Sequence, residues 1–395
     1  MRKYSLKEID NIEDLERLLQ SKEDDIIVHC VFNTLDFFQI YDKIKDFKFS
    51  DCMFLGCDIP MEVKDNIDHT CVTFPKMNVP YRIYTSELYN PYTLYEGYDI
   101  EDYDTLATSY DKRAYQRYIS KGKYGRDIYE TLARVIHDHA ITDAMYDLID
   151  RYDPKMVVAV MGGHAILRSD HIYRRVVYLG KLLTEKGRLI VTGGGPGAME
   201  AAHLGAWMAG RSNWEVEDAI SMVVTAPSYR DRNWLKTAFE VLEKYPQTQF
   251  RSLGVPTWFY GHEPACIFST DIAKYFANSI REDGIITIAH GGIIYTPGSA
   301  GTMQEIFQDA AQNHYFMDDE SAPMIFFDTD YWTKRIPVYK FLQDCLEIKS
   351  YANLRLSLSD DIEEVYAILE DYVKMLESSE DSNKPEVAPN PLNRR

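Results

Sequence analysis

The sequence predicts an α/β protein whose main part is an open, mostly parallel sheet with helices on both faces. Three observations predict it. From residue 156 onward, strand-type and helix-type patterns alternate along the chain. Two of the predicted strands run straight into glycine-rich turns that open helices. Residues 1 to about 125 lack this order and read as a separate α/β extension.

The elements follow from local pattern. Asp10 to Gln20 reads as a short helix, and Asp25 to Phe32 as a strand. Phe47 to Ser50 and Cys52 to Leu55 suggest another strand, interrupted at Asp51. Tyr81 to Tyr118 is tyrosine-rich, carries Pro91 and reads as an extended connection packed onto the main domain. Asp127 to Arg151 is a helix, with Ile128, Leu132, Val135, Ile136, Ala140 and Ala144 recurring mostly every three or four residues. Asp153-Pro154 breaks it.

Met156 to Met161 is the continuous apolar run that a buried parallel strand needs. A helix is predicted over 170–186, a strand over Arg188–Thr192, a helix over 198–209 and a third strand over Ala219–Val224. Further on come a helix over 271–282, short strands at Ile285–Ala289 and Gly292–Tyr295, a helix over 302–312 and a late strand at Pro323–Phe327. No internal repeat is evident. The expected organisation is an extension over 1–125, a connecting helix over 126–152, a main domain over 153–377 and a disordered Ser/Glu/Asn/Pro-rich tail over 378–395.

Bulk properties narrow the function classes. The chain of 395 residues is 45% apolar and 27% charged, and is long enough to bury a large core. Its 43 basic and 62 acidic side chains give a net charge of −19, which disfavours nucleic acid and anionic membranes as partners. No long apolar run suggests a membrane span, and Met1-Arg2-Lys3-Tyr4 does not open a signal peptide. The six cysteines form no C-x-x-C pair and no zinc-type cluster with histidine, so no metal is called for and the expected location is the reducing cytoplasm.

The chemistry concentrates in three turns. Thr192 leads into Gly193-Gly194-Gly195-Pro196-Gly197, and Ala198-Met199 open the next helix. Glycines let backbone approach a ligand closely, and the helix start adds unpaired amides and a positive dipole end, which suits a phosphate. The spacing is neither the dinucleotide fingerprint nor a P-loop, since no Gly-Lys-Ser/Thr follows. Pro297-Gly298-Ser299-Ala300-Gly301-Thr302 repeats the same physics before a helix carrying Glu305 in its first turn. Gly162-Gly163-His164 follow the first strand of the main domain, where His164 is either a phosphate contact or a turn residue. Turns from neighbouring strands converge at the carboxyl edge of such a sheet, where open α/β folds bind ligands.

A strand ending in Gly-Gly, then Gly-Gly-Gly-Pro-Gly-Ala-Met, then Pro-Gly-x-x-Gly-Thr-x-x-Glu resembles the LOG ("Lonely guy") family over about residues 155–315. The added N- and C-terminal segments resemble its larger bacterial members, some of which are nucleoside 5′-monophosphate nucleosidases. The resemblance implies a Rossmann-like domain, no cofactor, a homo-oligomer, and hydrolysis of an N-glycosidic bond to free base and ribose 5-phosphate, with AMP the default substrate. It implies a catalytic pair of an arginine, which maps best to Arg281, and Glu305. Arg281-Glu282 stands where the short plant enzymes have Arg-Lys, and Pro-Gly-Ser where the family has Pro-Gly-Gly. These departures point away from a cytokinin substrate.

On chemical grounds, Glu305 would stabilise an oxocarbenium-like sugar cation and orient or deprotonate the attacking water. Arg281, always protonated, would orient Glu305 or bind ribose or phosphate oxygens. Trp258 to Pro264 offers an aromatic wall for a base, although such clusters more often belong to a core. Tyr229-Arg230-Asp231-Arg232 is either a closing loop or a solvated one, and Arg134, His137 and His139 are either structural or within reach of the site. A non-catalytic nucleotide sensor is the competing reading. A pyridoxal-phosphate decarboxylase is disfavoured, because no lysine stands beside either long glycine turn.

Overall fold

The computed structural model describes residues 6–22, 24–261, 263–315 and 321–382. The chain forms two compact units. The first holds residues up to Leu148 together with Thr257–Gly261 and Ala273–Asn278; the second holds the remainder.

The first unit begins with β1 (Lys7–Ile9) and α1 (Ile12–Gln20), whose N-cap Asn11 accepts from the Asp14 amide. The strand expected over 25–32 is two strands, β2 (Ile26–Val28) and β3 (Cys30–Asn33), which part at His29, where φ is 58°. After α2 (Tyr41–Ile44) the pattern recurs: β4 (Lys48–Ser50) and β5 (Met53–Leu55) part at Asp51, where φ is 51°. α3 (Met61–Lys64) and β6 (Val72–Phe74) follow. A left-handed residue turns the chain too sharply for one strand to continue, so each pair divides between two sheets.

These sheets are parallel, in the orders β1-β3-β5-β6 and β2-β4. Ile26 pairs with Lys48, Val31 with Met53 and Asp36 with Asp58, each partner 22 residues on. Cys30, Cys52 and Cys71 stand at matching places in successive turns. The extension therefore contains a short coil of repeating turns, which the sequence reading misses because few side chains other than cysteine repeat. Its core is a cluster of Phe32, Phe37, Phe49 and Phe54, with ring centroids 5.0–6.3 Å apart.

The tyrosine-rich stretch is not simply extended. It contains α4 (Pro91–Leu94) and α5 (Tyr110–Ser120), the latter capped by Ser109. It packs on α6 (Ile128–Ile149): the Tyr89 hydroxyl lies 2.8 Å from both Tyr110 Oη and His137 Nε2. These contacts lie within the first unit, not on the main domain as the sequence suggests.

The second unit is a seven-stranded, all-parallel sheet. Its strands are β7 (Val157–Met161), β8 (Leu189–Thr192), β9 (Ser252–Gly254), β10 (Asp271–Ile272), β11 (Ile293–Tyr295), β12 (Pro323–Phe327) and β13 (Arg355–Ser359). Its helices are α7 (His171–Glu185), α8 (Ala198–Trp207), α9 (Asn213–Val224), α10 (Trp234–Lys244), α11 (Asn278–Ile288), α12 (Ala300–Tyr315), α13 (Val338–Glu347) and α14 (Ile362–Ser382). The predicted Rossmann-like class, with helices on both faces, is the class observed.

The strand order β10-β9-β8-β7-β11-β12-β13 winds outward from β7 in one direction, then returns to β11 and winds outward in the other. The reversal opens a crevice at the carboxyl ends of β7 and β11. α8 is buried along its whole length, and glycine lets α7 approach it: a side chain at Gly180 would meet the Ala202 carbonyl at 2.3 Å.

Three local expectations are corrected. Ala219–Val224 is helical, because Ser212 and Glu215 form a capping box and Val216, Ala219, Ile220 and Val223 bury one face. The helix expected over 271–282 is β10 followed by α11, which begins only at Asn278. The strand expected at Ile285–Ala289 lies in α11 up to Ile288; its β-branched run reads equally as a buried strand or a buried helix face. α10, β9, α13 and β13 were not anticipated. α14 runs to Ser382, past the expected start of the tail at 378, and residues 383–395 lie outside the described ones.

Candidate functional site

The three glycine turns all belong to the second unit and meet beside the crevice. Gly162, Gly163 and His164 leave β7; Gly193, Gly194, Gly195 and Gly197 join β8 to α8; and Gly298 and Ser299 precede α12. Gly163 joins them. Its amide donates to the Pro297 carbonyl at 2.9 Å, and its carbonyl accepts from the Ala198 amide at 3.2 Å. A side chain at Gly162 would strike Thr296 Oγ1 at 1.9 Å, so the first position after β7 admits only glycine. Gly197 has a φ of 74°, in the left-handed region, and faces the Gly163 carbonyl.

The turn between β8 and α8 is held from below. Thr192 Oγ1 accepts from the Gly194 amide at 2.9 Å, and the Gly194 carbonyl accepts from the Cys266 amide at 2.8 Å. Thr192 Oγ1 also lies 2.8 Å from His203 Nε2, and burial pushes the His203 ring down to about 3, which keeps it neutral. Met199 curls back beneath Gly193 and Gly195, and Ala198 supplies the first amide of α8.

α12 begins two residues earlier than expected. Ala300, Gly301 and Thr302 form its first turn, and Glu305 falls in the second. Ser299, Ala300 and Gly301 are exposed, and a side chain at Gly301 would meet open space. First-turn amides have no partner within their own helix, so this end can receive an anion. Thr302 is buried against Gly298, and the Tyr331 hydroxyl donates to the Gly298 carbonyl at 2.5 Å.

Arg281 stands in the first turn of α11. Its Nε donates to the Val255 carbonyl at 3.1 Å, and its guanidinium lies across Gly193, where a Cβ would come within 2.1 Å of Nη2. The neighbouring Glu282 carboxylate is 3.9 Å from Nη1. Burial pushes Glu305 from 4.5 up to about 7; the Arg281 cation pulls against that rise and Glu282 adds to it. Asp309, one helical turn further on, is also raised to about 7 by burial, against hydrogen bonds from the Tyr295 hydroxyl (2.6 Å) and Asn313 (2.9 Å).

Beside the β8–α8 turn lies a pocket of about 180 Å³, lined in part by His164, Gly197, Glu200, Tyr229, Arg230 and Trp234. His164 Nδ1 is 3.4 Å from Glu263 Oε1. Sequence reasoning overlooked the wall of this pocket. Glu200 is buried and paired with the buried Arg168, whose Nη2 donates to Glu200 Oε1 at 2.5 Å, whose Nη1 donates to Thr237 Oγ1 at 2.9 Å, and whose guanidinium stacks 4.7 Å above Trp234. The available signal was a glutamate inside an otherwise apolar helix start.

Two other candidate groups have members in the first unit. Trp258 belongs to the core of the first unit: its indole donates to Asp111 Oδ1 at 2.9 Å and stacks on Phe276 at 4.4 Å. His262 of the same stretch lies outside the described residues. Arg134 and His137 are buried and bonded within the first unit, to Glu130 and the Gly122 carbonyl and to Tyr89 and Asp138 respectively, while His139 is exposed. Among the described residues there is no group of three His, Cys, Asp or Glu side chains placed to hold a metal, and no helix is long and apolar enough to cross a membrane.

No protein-family model matches the chain, and no curated protein does. Among solved structures, it is similar to the molybdenum cofactor binding protein from the phototrophic bacterium Rippkaea orientalis, at 12% identity over 55% of this chain and 96% of that one, with a TM-score of 0.35. It is also similar to the molybdenum cofactor carrier protein MCP from Chlamydomonas reinhardtii, at 14% identity over 55% of this chain and 98% of that one, with a TM-score of 0.34. Likenesses this slight assign no ligand to the chain.

Proposed function

We propose that the second unit binds a nucleoside 5′-monophosphate, AMP foremost, and hydrolyses its N-glycosidic bond to free base and ribose 5-phosphate. The observation that carries this reading is the placement of Arg281 against Gly193 together with a Glu305 carboxyl raised to about 7. The exposed start of α12 and the turn before α8 hold the 5′-phosphate through backbone amides, which suits a chain of net charge −19. Phosphate binding positions the ribose so that its reacting carbon faces Glu305.

As the bond to the base lengthens, positive charge builds on the sugar, and the Glu305 carboxylate stabilises it. Poised near neutral pH, the same group takes a proton from the attacking water. Arg281 keeps its charge throughout and orients Glu305 or a sugar or phosphate oxygen. No metal or cofactor is required. The six free thiols suit a reducing, cytoplasmic setting, and a homo-oligomer without a nucleic-acid or membrane partner belongs to the same proposal.

The test is incubation of the purified protein with AMP, GMP, CMP, UMP and IMP, without metal, following base and ribose 5-phosphate by chromatography. Release from one nucleotide, abolished in Glu305→Ala, supports the proposal and names the base. Binding without release from any of the five sinks it in favour of a nucleotide sensor.

A further inference from the structure

The first unit contains a cavity of about 430 Å³, within the size range of small-molecule pockets. One wall is the face of the four-stranded sheet opposite its phenylalanine core. Side chains alternate between faces along a strand, so Phe32 and Phe54 point into that core while Val31, Asn33, Met53 and Leu55 line the cavity. The parallel register sets Glu8, Val31 and Met53 side by side in one row, and Asn33, Leu55 and Phe74 in the next.

The opposite wall is one face of α6, where Ile136, His139, Ala140, Asp143, Ala144 and Asp147 recur at helical spacing. Two lining side chains carry bonds of their own. Asn33 donates to Asp10 Oδ1 at 2.6 Å, and the Tyr84 hydroxyl donates to the Pro75 carbonyl at 2.9 Å.

Its chemistry differs from that of the glycine turns. Asp143 puts a carboxylate on the lining beside Glu8 and Asp147, which have partners of their own; His139 also lines it, and no lysine or arginine does. Between them lies an apolar floor of Val31, Met53, Leu55 and Phe74. Carboxylates at the edge of an apolar cavity attract a cation and repel an anion more strongly than they would in open water. A nucleotide phosphate is thus the wrong ligand here.

We propose that this cavity is a second ligand site, taking a small organic cation with a flat or branched apolar body, of the aryl-alkylamine class. The body lies on the sheet floor and the ammonium group reaches Asp143. This site stands independently of the reaction proposed for the second unit.

The test uses the full chain and two probes that share one ring, tryptamine as the cation and indole-3-propionate as the anion. Calorimetry measures affinity, and the methionine methyl signals in a carbon–proton NMR spectrum report the place of binding. Tryptamine is expected to bind and move the Met53 methyl, with indole-3-propionate roughly tenfold weaker or worse. Asp143→Asn should weaken tryptamine about fivefold, and Leu55→Trp, which fills the cavity, should abolish its binding. Circular dichroism establishes that each variant folds; if Leu55→Trp does not, Asp143→Asn decides alone. Absence of tryptamine binding at millimolar concentration, equal binding of the two probes, or binding that Asp143→Asn leaves unchanged would each overturn the proposal.

Discussion

Glu305 takes its proton affinity from its position, and that makes its role measurable. Burial raises the carboxyl to about 7, Arg281 opposes the rise and Glu282 assists it. If the carboxylate is the working form, kcat/KM should climb with pH along a limb centred near 7. Removing the cation in Arg281→Met should move that limb to higher pH, whereas Glu282→Gln should move it lower, because a like charge has gone. Shifts in the opposite directions would show that another group governs the limb. Gly193 gives a second measure. In Gly193→Ala the new methyl group claims the space of the Arg281 guanidinium, the flexible end of a long side chain. The fold should survive while turnover falls by about 10² or more, as expected when a positioning group is displaced by an ångström or so.

At the scale of elements, two glycines in helices should respond in opposite ways to the same substitution. Gly205 of α8 faces backbone: a Cβ would sit 2.0 Å from the Val177 carbonyl of α7, and neither helix can yield easily. Gly205→Ala should cost about 1–3 kcal/mol in urea unfolding. Gly284 of α11 faces open space, so Gly284→Ala should add roughly 0.4–1 kcal/mol by stiffening the unfolded chain. Elements were legible in the sequence where one local rule acted alone. The runs Val157–Met161, Leu189–Thr192 and Pro323–Phe327 are buried strands, and both long glycine turns open helices. α9 and α11 were misread because short apolar runs fit either a strand or a helix face. In α9 the Ser212–Glu215 capping box settled the choice. The division of β2 from β3 rests on one left-handed histidine, a residue that carries no strong turn signal.

For the molecule as a whole, stability should carry pH signatures of opposite sign. The native state holds the Glu305 proton more tightly than the unfolded chain does. The stability this gives is complete below about 4.5 and is lost as pH rises through about 7. Glu305→Gln has no such loss, so its stability relative to the wild type should rise by on the order of 2 kcal/mol between pH 5 and pH 8. The measurement is a pair of urea curves at the two pH values, and a flat difference would mean that the carboxyl is not raised. His203 acts in reverse. Held neutral with a value of about 3 against an ordinary 6.5, it favours the native state above 6.5, and that stability is lost as pH falls toward 3.

Taken alone, the sequence determined the class of the second unit and the places of its glycine turns. Both depend on rules that act within a few residues: an apolar run that must be buried, glycines where backbone must turn or be approached, and a helix start with unpaired amides. Only the tertiary structure decided which strands flank the crevice, because the return from β10 to β11 past β7 is a pairing between distant segments. It alone revealed the coil of the first unit, whose turns match in backbone geometry far more than in side chains. It also placed Trp258 in the core of the first unit. An aromatic residue looks the same in sequence whether it faces a ligand or a core, and the partners that settle the matter, Asp111 and Phe276, lie 147 residues before it and 18 after it.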